Sequence, residues 1–210
     1  KEKTVTVKGE DELVEGDGRF HETWVHPEAD LSRYTAIYSW QPVFQFRDVG
    51  ETRSTVSHSD LMSGRQRGPF TISDESREAF ATIVSEALTD QLARSRQFET
   101  ADAPGPGVLI VRGAFLDIVS NVPPRITGTV DVHLANVGEA TFVFDLIDAE
   151  SGVIQARVAE RRHIQPPSRM NRVNTQPANA ATVRNDVRIW ASSLASELRR
   201  ELDRARRRAE

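Results

Sequence analysis

The sequence predicts an α+β domain: a mixed, mostly antiparallel sheet with two amphipathic helices packed on one face. Three observations predict it. Apolar residues recur at three- and four-residue spacing over 74–95 and again over 180–207, the period of a helix with one buried stripe. Period-two alternation and apolar runs fill most of the chain between 108 and 164, as strands do. The order strand, helix, several strands, helix leaves two helix stripes that one sheet face covers most economically.

Residues 1–33 are polar and acidic, with Gly9, Gly16 and Gly18 and scattered apolar positions. They are expected to form a tail or tether, mobile or lying over a domain that spans 34–210. From Tyr34 the residues Ala36, Tyr38, Trp40, Phe44 and Phe46 share one face of a half-buried strand, with Trp40 toward the core. Pro42 removes a ladder donor there, which calls for an edge or a bulge. The stretch 48–69 is polar and aperiodic. Ser73 then precedes a helix whose stripe is Phe80, Ile83, Val84, Ala87, Leu88 and Leu92, with Asp74 and Glu75 at its positive end.

A short strand is expected near Phe98, followed by a long strand over 108–119, apolar on both faces and therefore central. Ile126, Val130, Val132 and Leu134 alternate with Thr127, Thr129, Asp131 and His133, one face in and one out. Strands over 140–149 and 153–164 flank Glu150-Ser151-Gly152, a tight hairpin in which Gly can take positive φ. Pro166, Pro167 and Pro177 mark an irregular crossing loop. The last helix carries Val183, Val187, Trp190, Leu194, Leu198 and Leu202 on one stripe.

Composition excludes several classes of function. At 210 residues, with 38% hydrophobic and 28% charged residues, the chain is sized for one domain. Its longest apolar run, Val108 to Val111, falls far short of the ~20 residues that span a bilayer. A net charge of −4 argues against nucleic acid as a partner, since that binding needs a dominant basic surface. Of 27 basic residues only Lys1, Lys3 and Lys8 are lysines, so 24 are arginines, a bias that base composition explains more simply than anion recognition does. With no cysteine there are no disulfides, no thiol catalysis and no Cys-based zinc site.

The motifs for chemistry are weak. Nothing matches a phosphate loop, and Gly16-Asp17-Gly18 lacks the third glycine of a dinucleotide site. His21 and His26 lie five apart, where one helical face needs four, so no metal is expected there. Asp131 and His133 share an exposed strand face, yet side chains two apart stand about 7 Å from each other, too far for a direct hydrogen bond. Asp117, Asp145 and Asp148 punctuate apolar strands, where aspartates usually serve turns. The arginines from Arg199 to Arg208, among them Arg204 and Arg207, complement the helix dipole and have Glu197, Glu201 and Asp203 beside them. They could also hold an acidic partner or anionic lipid. Trp24 is the better interface candidate of the two tryptophans before 50. No catalytic residue and no cofactor is expected.

The order of these motifs resembles a family. Trp24-Val25-His26-Pro27-Glu28-Ala29-Asp30-Leu31-Ser32-Arg33-Tyr34 resembles the opening of the bacterial lipoprotein family catalogued as domain of unknown function 3313. The helix after Ser73, Pro104-Gly105-Pro106-Gly107 before a long strand, Asn121-Val122-Pro123-Pro124, the hairpin from Asp145 to Gly152 and the helix around Trp190 follow in the same order, over about 24–205. The resemblance implies a periplasmic domain held to a membrane, the outer one by expectation, through a lipidated cysteine upstream of Lys1 and a secretion signal. It carries over no catalytic residues. At fold level the element order also looks like the N-terminal domain of the periplasmic translocation protein TolB. The expected function is a protein-interaction or assembly component of the cell envelope, working with an envelope protein partner. The alternative is a periplasmic protein that binds a small molecule or glycan. Candidate interface residues are Trp24, Asp131, His133, Arg204 and Arg207.

Overall fold

A computed structural model describes residues 12–50, 68–123, 136–165 and 179–209, with the short pairs 56–57, 126–127, 133–134 and 176–177. The strands are β1 (Val14–Glu15), β2 (Glu22–Val25), β3 (Ala36–Ser39), β4 (Val43–Phe46), β5 (Val56–Ser57), β6 (Glu99–Thr100), β7 (Val108–Ser120), β8 (Ile126–Thr127), β9 (His133–Leu134), β10 (Gly138–Asp148), β11 (Ile154–His163) and β12 (Gln176–Pro177). Helix α1 (Asp74–Leu92) lies between β5 and β6, and α2 (Ala180–Ala209) ends the chain. The main sheet runs β1-β2-β11-β10-β7-β3-β6, with β4 also paired to β7. Its ladders are antiparallel except where β3 and β4 meet β7 and β6 meets β3. The α+β expectation holds, and β7 is central.

Both helices cover one face of this sheet. Ser73 caps α1 by accepting a hydrogen bond from the Ser76 amide. Phe80, Val84, Ala87, Leu88 and Leu92 of α1 are buried with Val187, Trp190, Leu194, Leu198 and Leu202 of α2. Against them lie Leu109, Val111 and Phe115 of β7 and Ala140, Phe142 and Phe144 of β10, in one continuous core. Its centre is aromatic. Phe115 packs edge-on to Phe144 at 5.7 Å and to Trp190 at 6.2 Å, and Phe44 stacks on Phe115 at 5.3 Å.

The boundary expected at 34 lies too late. Glu22–Val25 is a strand between β1 and β11, pairing on the β11 side Trp24 with Arg157 and Thr23 with Val158. Phe20 and Leu31 are buried, and Arg162 lies over the Phe20 and Phe142 rings at 5.6 and 5.4 Å. The described part of the expected tail, from 12 onward, is thus built into the domain, while 1–11 lie outside the described residues. Four residues of mixed polarity show no readable alternation, and the ladders to β11 and β1 make this segment a strand.

Trp40 is corrected too: it is 46% exposed and turned away from the helices. Ser39 pairs with Val111 and Val43 with Ala114, so four steps along one chain match three along β7. That offset at Gln41-Pro42 flips the facing, so Ile37 is the core residue of β3 whereas Phe44 and Phe46 turn inward in β4. A second irregularity sits in β7. Glu139 opposes Val119 and Thr141 opposes Leu116, and Asp117 takes φ 52°, a left-handed conformation that Asp tolerates better than most residues. The hairpin expected at Glu150-Ser151-Gly152 is present, with Gly152 at φ 72°.

Candidate functional site

Among the described residues, no helix lies on the other face of the sheet. Alternation along β7 and β10 puts Ile110, Arg112, Ala114 and Leu116, and Glu139, Thr141, Val143 and Asp145, on this side. One row crosses five strands: Glu15, Trp24, Arg157, Asp145 and Arg112 are successive cross-strand partners. Asp145 is only 4% exposed because arginines close over it: it accepts from Arg112 Nη2 at 2.6 Å and from Arg157 Nε at 2.6 Å and Nη2 at 3.2 Å.

Toward the opposite end of the strands lies a second, more exposed cluster. The β7 bulge projects Asp117 outward, where it accepts from Arg47 Nε at 2.6 Å and Arg161 Nη1 at 2.7 Å. Arg161 also reaches Glu139 at 3.0 Å, and His163 Nδ1 lies 3.3 Å from the other Glu139 oxygen. The hydrogen bonds from Arg47, opposed in part by desolvation and aided by Arg161, hold the Asp117 carboxyl below its ordinary range. A carboxylate held ionised between two guanidinium groups is a poor proton carrier at neutral pH. The arrangement offers planar cations, paired anions and rings instead of acid–base chemistry.

The rings and apolar groups gather at the β3–β4 corner. Tyr38 and Trp40 pack edge to face at 6.0 Å, and Val43, beside them on the same face, is 58% exposed. Sequence reasoning missed this corner because the flip at Pro42 is invisible without the register. The arginine rows were discounted as compositional, although Arg112 and Arg157, each inside a strand with apolar neighbours, are a signal that pairing explains.

The expected site residues do not converge. Trp24 is half-buried on this bare face, opposite Arg157. Arg204 and Arg207 ride on α2, across the sheet from it: Arg204 pairs with Glu201 and Arg207 is exposed. His133 lies in β9 opposite Pro177, with its side chain outside the described residues, as is the whole of Asp131. His21 and His26 flank the two ends of β2, and His26 Nε2 meets Glu12 at 2.9 Å. Asp148 belongs to the hairpin, accepting from Glu150 N at 2.7 Å, Ser151 N at 2.9 Å and the buried Tyr34 hydroxyl at 2.9 Å. Burial pushes the Asp148 carboxyl up, and the donors from Ser151, Tyr34 and Glu150 outweigh it and hold the group below its usual range. Among the described residues no three His, Asp or Glu side chains are grouped to hold a metal, and no helix is long and apolar enough to cross a membrane.

Fold and face together define an α+β domain with two helices on one sheet face and, among the described residues, no element covering the other. The chain belongs to the family described as protein of unknown function DUF3313, whose model matches residues 10–194. No curated protein matches it. Three solved structures are similar at low identity. The PelC dodecamer from Paraburkholderia phytofirmans shares 11% identity at a TM-score of 0.35, over 89% of this chain and 96% of that one. A DUF330 protein from Xanthomonas campestris shares 7% at a TM-score of 0.47, over 82% and 85%. A DUF4136 family protein from Bacteroides thetaiotaomicron shares 8% at a TM-score of 0.30, over 89% and 98%.

Proposed function

We propose that this protein is a lipid-anchored component of the bacterial cell envelope that binds an envelope protein through the bare face of its sheet and catalyses no reaction. The observation that carries the reading is the corner of Tyr38, Trp40 and Val43 beside the Arg112–Asp145–Arg157 row. Aromatic residues and arginine dominate binding hot spots because each desolvates a large, rigid area and keeps a polar handle. Paired arginines also lower the cost of burying charge at a contact. The envelope setting rests on membership of the family and on the lipoprotein character that the resemblance implies. The absence of catalysis is supported by Asp117, Asp145 and Asp148, each occupied by guanidinium or turn donors.

The test places a photo-crosslinking residue at Val43 or at Ile189, which is 41% exposed on α2, in the full-length protein within its own envelope. Discrete adducts from Val43 and none from Ile189 support the reading. Adducts from Ile189 alone, or from neither position, overturn it.

A further inference from the structure

On the helix-covered side, a cavity of about 380 Å³ lies between the first turns of α1 and α2 and the end of the sheet formed by β4 and β7. It is a cleft open to solvent along one side, and its size is that of a pocket for a small ligand. Its walls are mostly hydrocarbon: Phe46 and Ile118 from the sheet, Phe80 and Ile83 from α1, Val183 and Val187 from α2. Ile83 and Val183 belong to the apolar stripes of their helices, yet each is only half-buried, because the cavity stands where a packing partner would be. Polar groups also line it: Thr71 and Ser120, Ser73 and Ser76 at the start of α1, and Arg184, 3.3 Å from Glu75, on α2.

We propose that this cavity binds a single hydrocarbon chain bearing a hydrogen-bonding head group, a fatty acid or a single-chain lipid. The chain lies among Phe46, Ile83 and Val183, and the head meets Ser76 and Arg184 at the rim. Walls that are mostly apolar gain most from an apolar guest, because it removes their area from water. They reject a sugar, whose hydroxyls would be buried without partners. The site is separate from the bare sheet face and does not depend on the protein contact proposed there.

The experiment titrates the purified protein calorimetrically with saturated fatty acids of increasing length, from about eight to sixteen carbons, each below its micelle concentration. One saturable site is expected, with affinity peaking near the length that fills the cavity. Ile83→Trp, which fills the space, should weaken binding at least tenfold, whereas Ile189→Trp on the solvent side of α2 should leave it unchanged. Circular dichroism and the unfolding midpoint report whether Ile83→Trp folds. If it does not, Ile83→Ala decides, since enlarging the cavity should move the optimum to a longer chain. Four results would overturn the proposal: no saturable binding, affinity that climbs steadily with length, binding indifferent to a folded Ile83→Trp, or an optimum unmoved by Ile83→Ala.

Discussion

The two faces of the sheet are made by the same strands, residue by alternate residue, and they differ in how each neutralises its charge. The covered face holds Leu109, Val111, Phe115, Phe142 and Phe144 against two helices, with few ionic groups: Asp186 and Asp203 buried on α2, and Arg162 between Glu160 and Glu197. The bare face alternates Arg112, Asp145, Arg157, Asp117 and Arg161 with Ile110, Ala114 and Val143, and ties its charges to one another. Burial against a second layer rewards apolar volume. The face that no described element covers pairs its ions with one another and leaves its rings at a corner. The difference separates stability from recognition: substitutions on the covered side should unfold the domain, and substitutions on the bare side should leave it folded.

The largest expected effect is on the covered side. Phe115→Ala and Trp190→Ala each remove a fully packed ring and should cost about 3–5 kcal/mol in urea unfolding. Gly138→Ala belongs with them, because a Cβ there would stand 2.1 Å from the Val119 carbonyl oxygen, a backbone atom that cannot swing aside. Losses under about half a kcal/mol would mean that this face is not the core.

On the bare side, Asp145→Asn leaves Arg112 and Arg157 facing each other over a lost charge. The carboxylate is buried but both arginines are partly solvated, so about 1–2 kcal/mol is expected, less than for a fully buried pair. The Tyr34–Asp148 bond gives a smaller effect with a sign in pH. Asp148 has a folded pKa below its unfolded value, so its contribution is fully present above the unfolded value of about 3.9 and is lost as pH falls through the folded one. Tyr34→Phe should cost about 1 kcal/mol at pH 7 and flatten the acid limb of stability against pH. An unchanged acid limb would remove the hairpin carboxylate from the account. The smallest effect is at Asp117, where Arg47→Ala should shift the unfolding midpoint only marginally, and not measurably in about 1 M salt, because the pair is exposed.

How much of this was legible in the sequence follows the same division. The helix stripes through Leu88 and Trp190 were readable because a 3.6-residue period over several turns is a strong local signal. So were the long central strand and the Gly152 hairpin. The bare face was not, since its rows exist only across strands. Trp24, Arg157, Asp145 and Arg112 are neighbours only by the cross-strand register of β2, β11, β10 and β7, which no local pattern shows. A one-residue offset turned Trp40 from an expected core residue into an exposed one. Of the residues chosen in advance as an interface, Trp24 lies on this face, Arg204 and Arg207 lie across the sheet from it, and Asp131 and the His133 side chain fall outside the described residues.

The most direct measurement compares hydroxyl-radical labelling of the full-length protein in its intact envelope with labelling of the purified domain. If the covered face maintains the fold and the bare face meets the partner, Tyr38, Trp40 and Val43 lose labelling in the envelope while Ile189 on α2 keeps it. Equal labelling of that corner in both states, or protection confined to the helix side, would contradict the account.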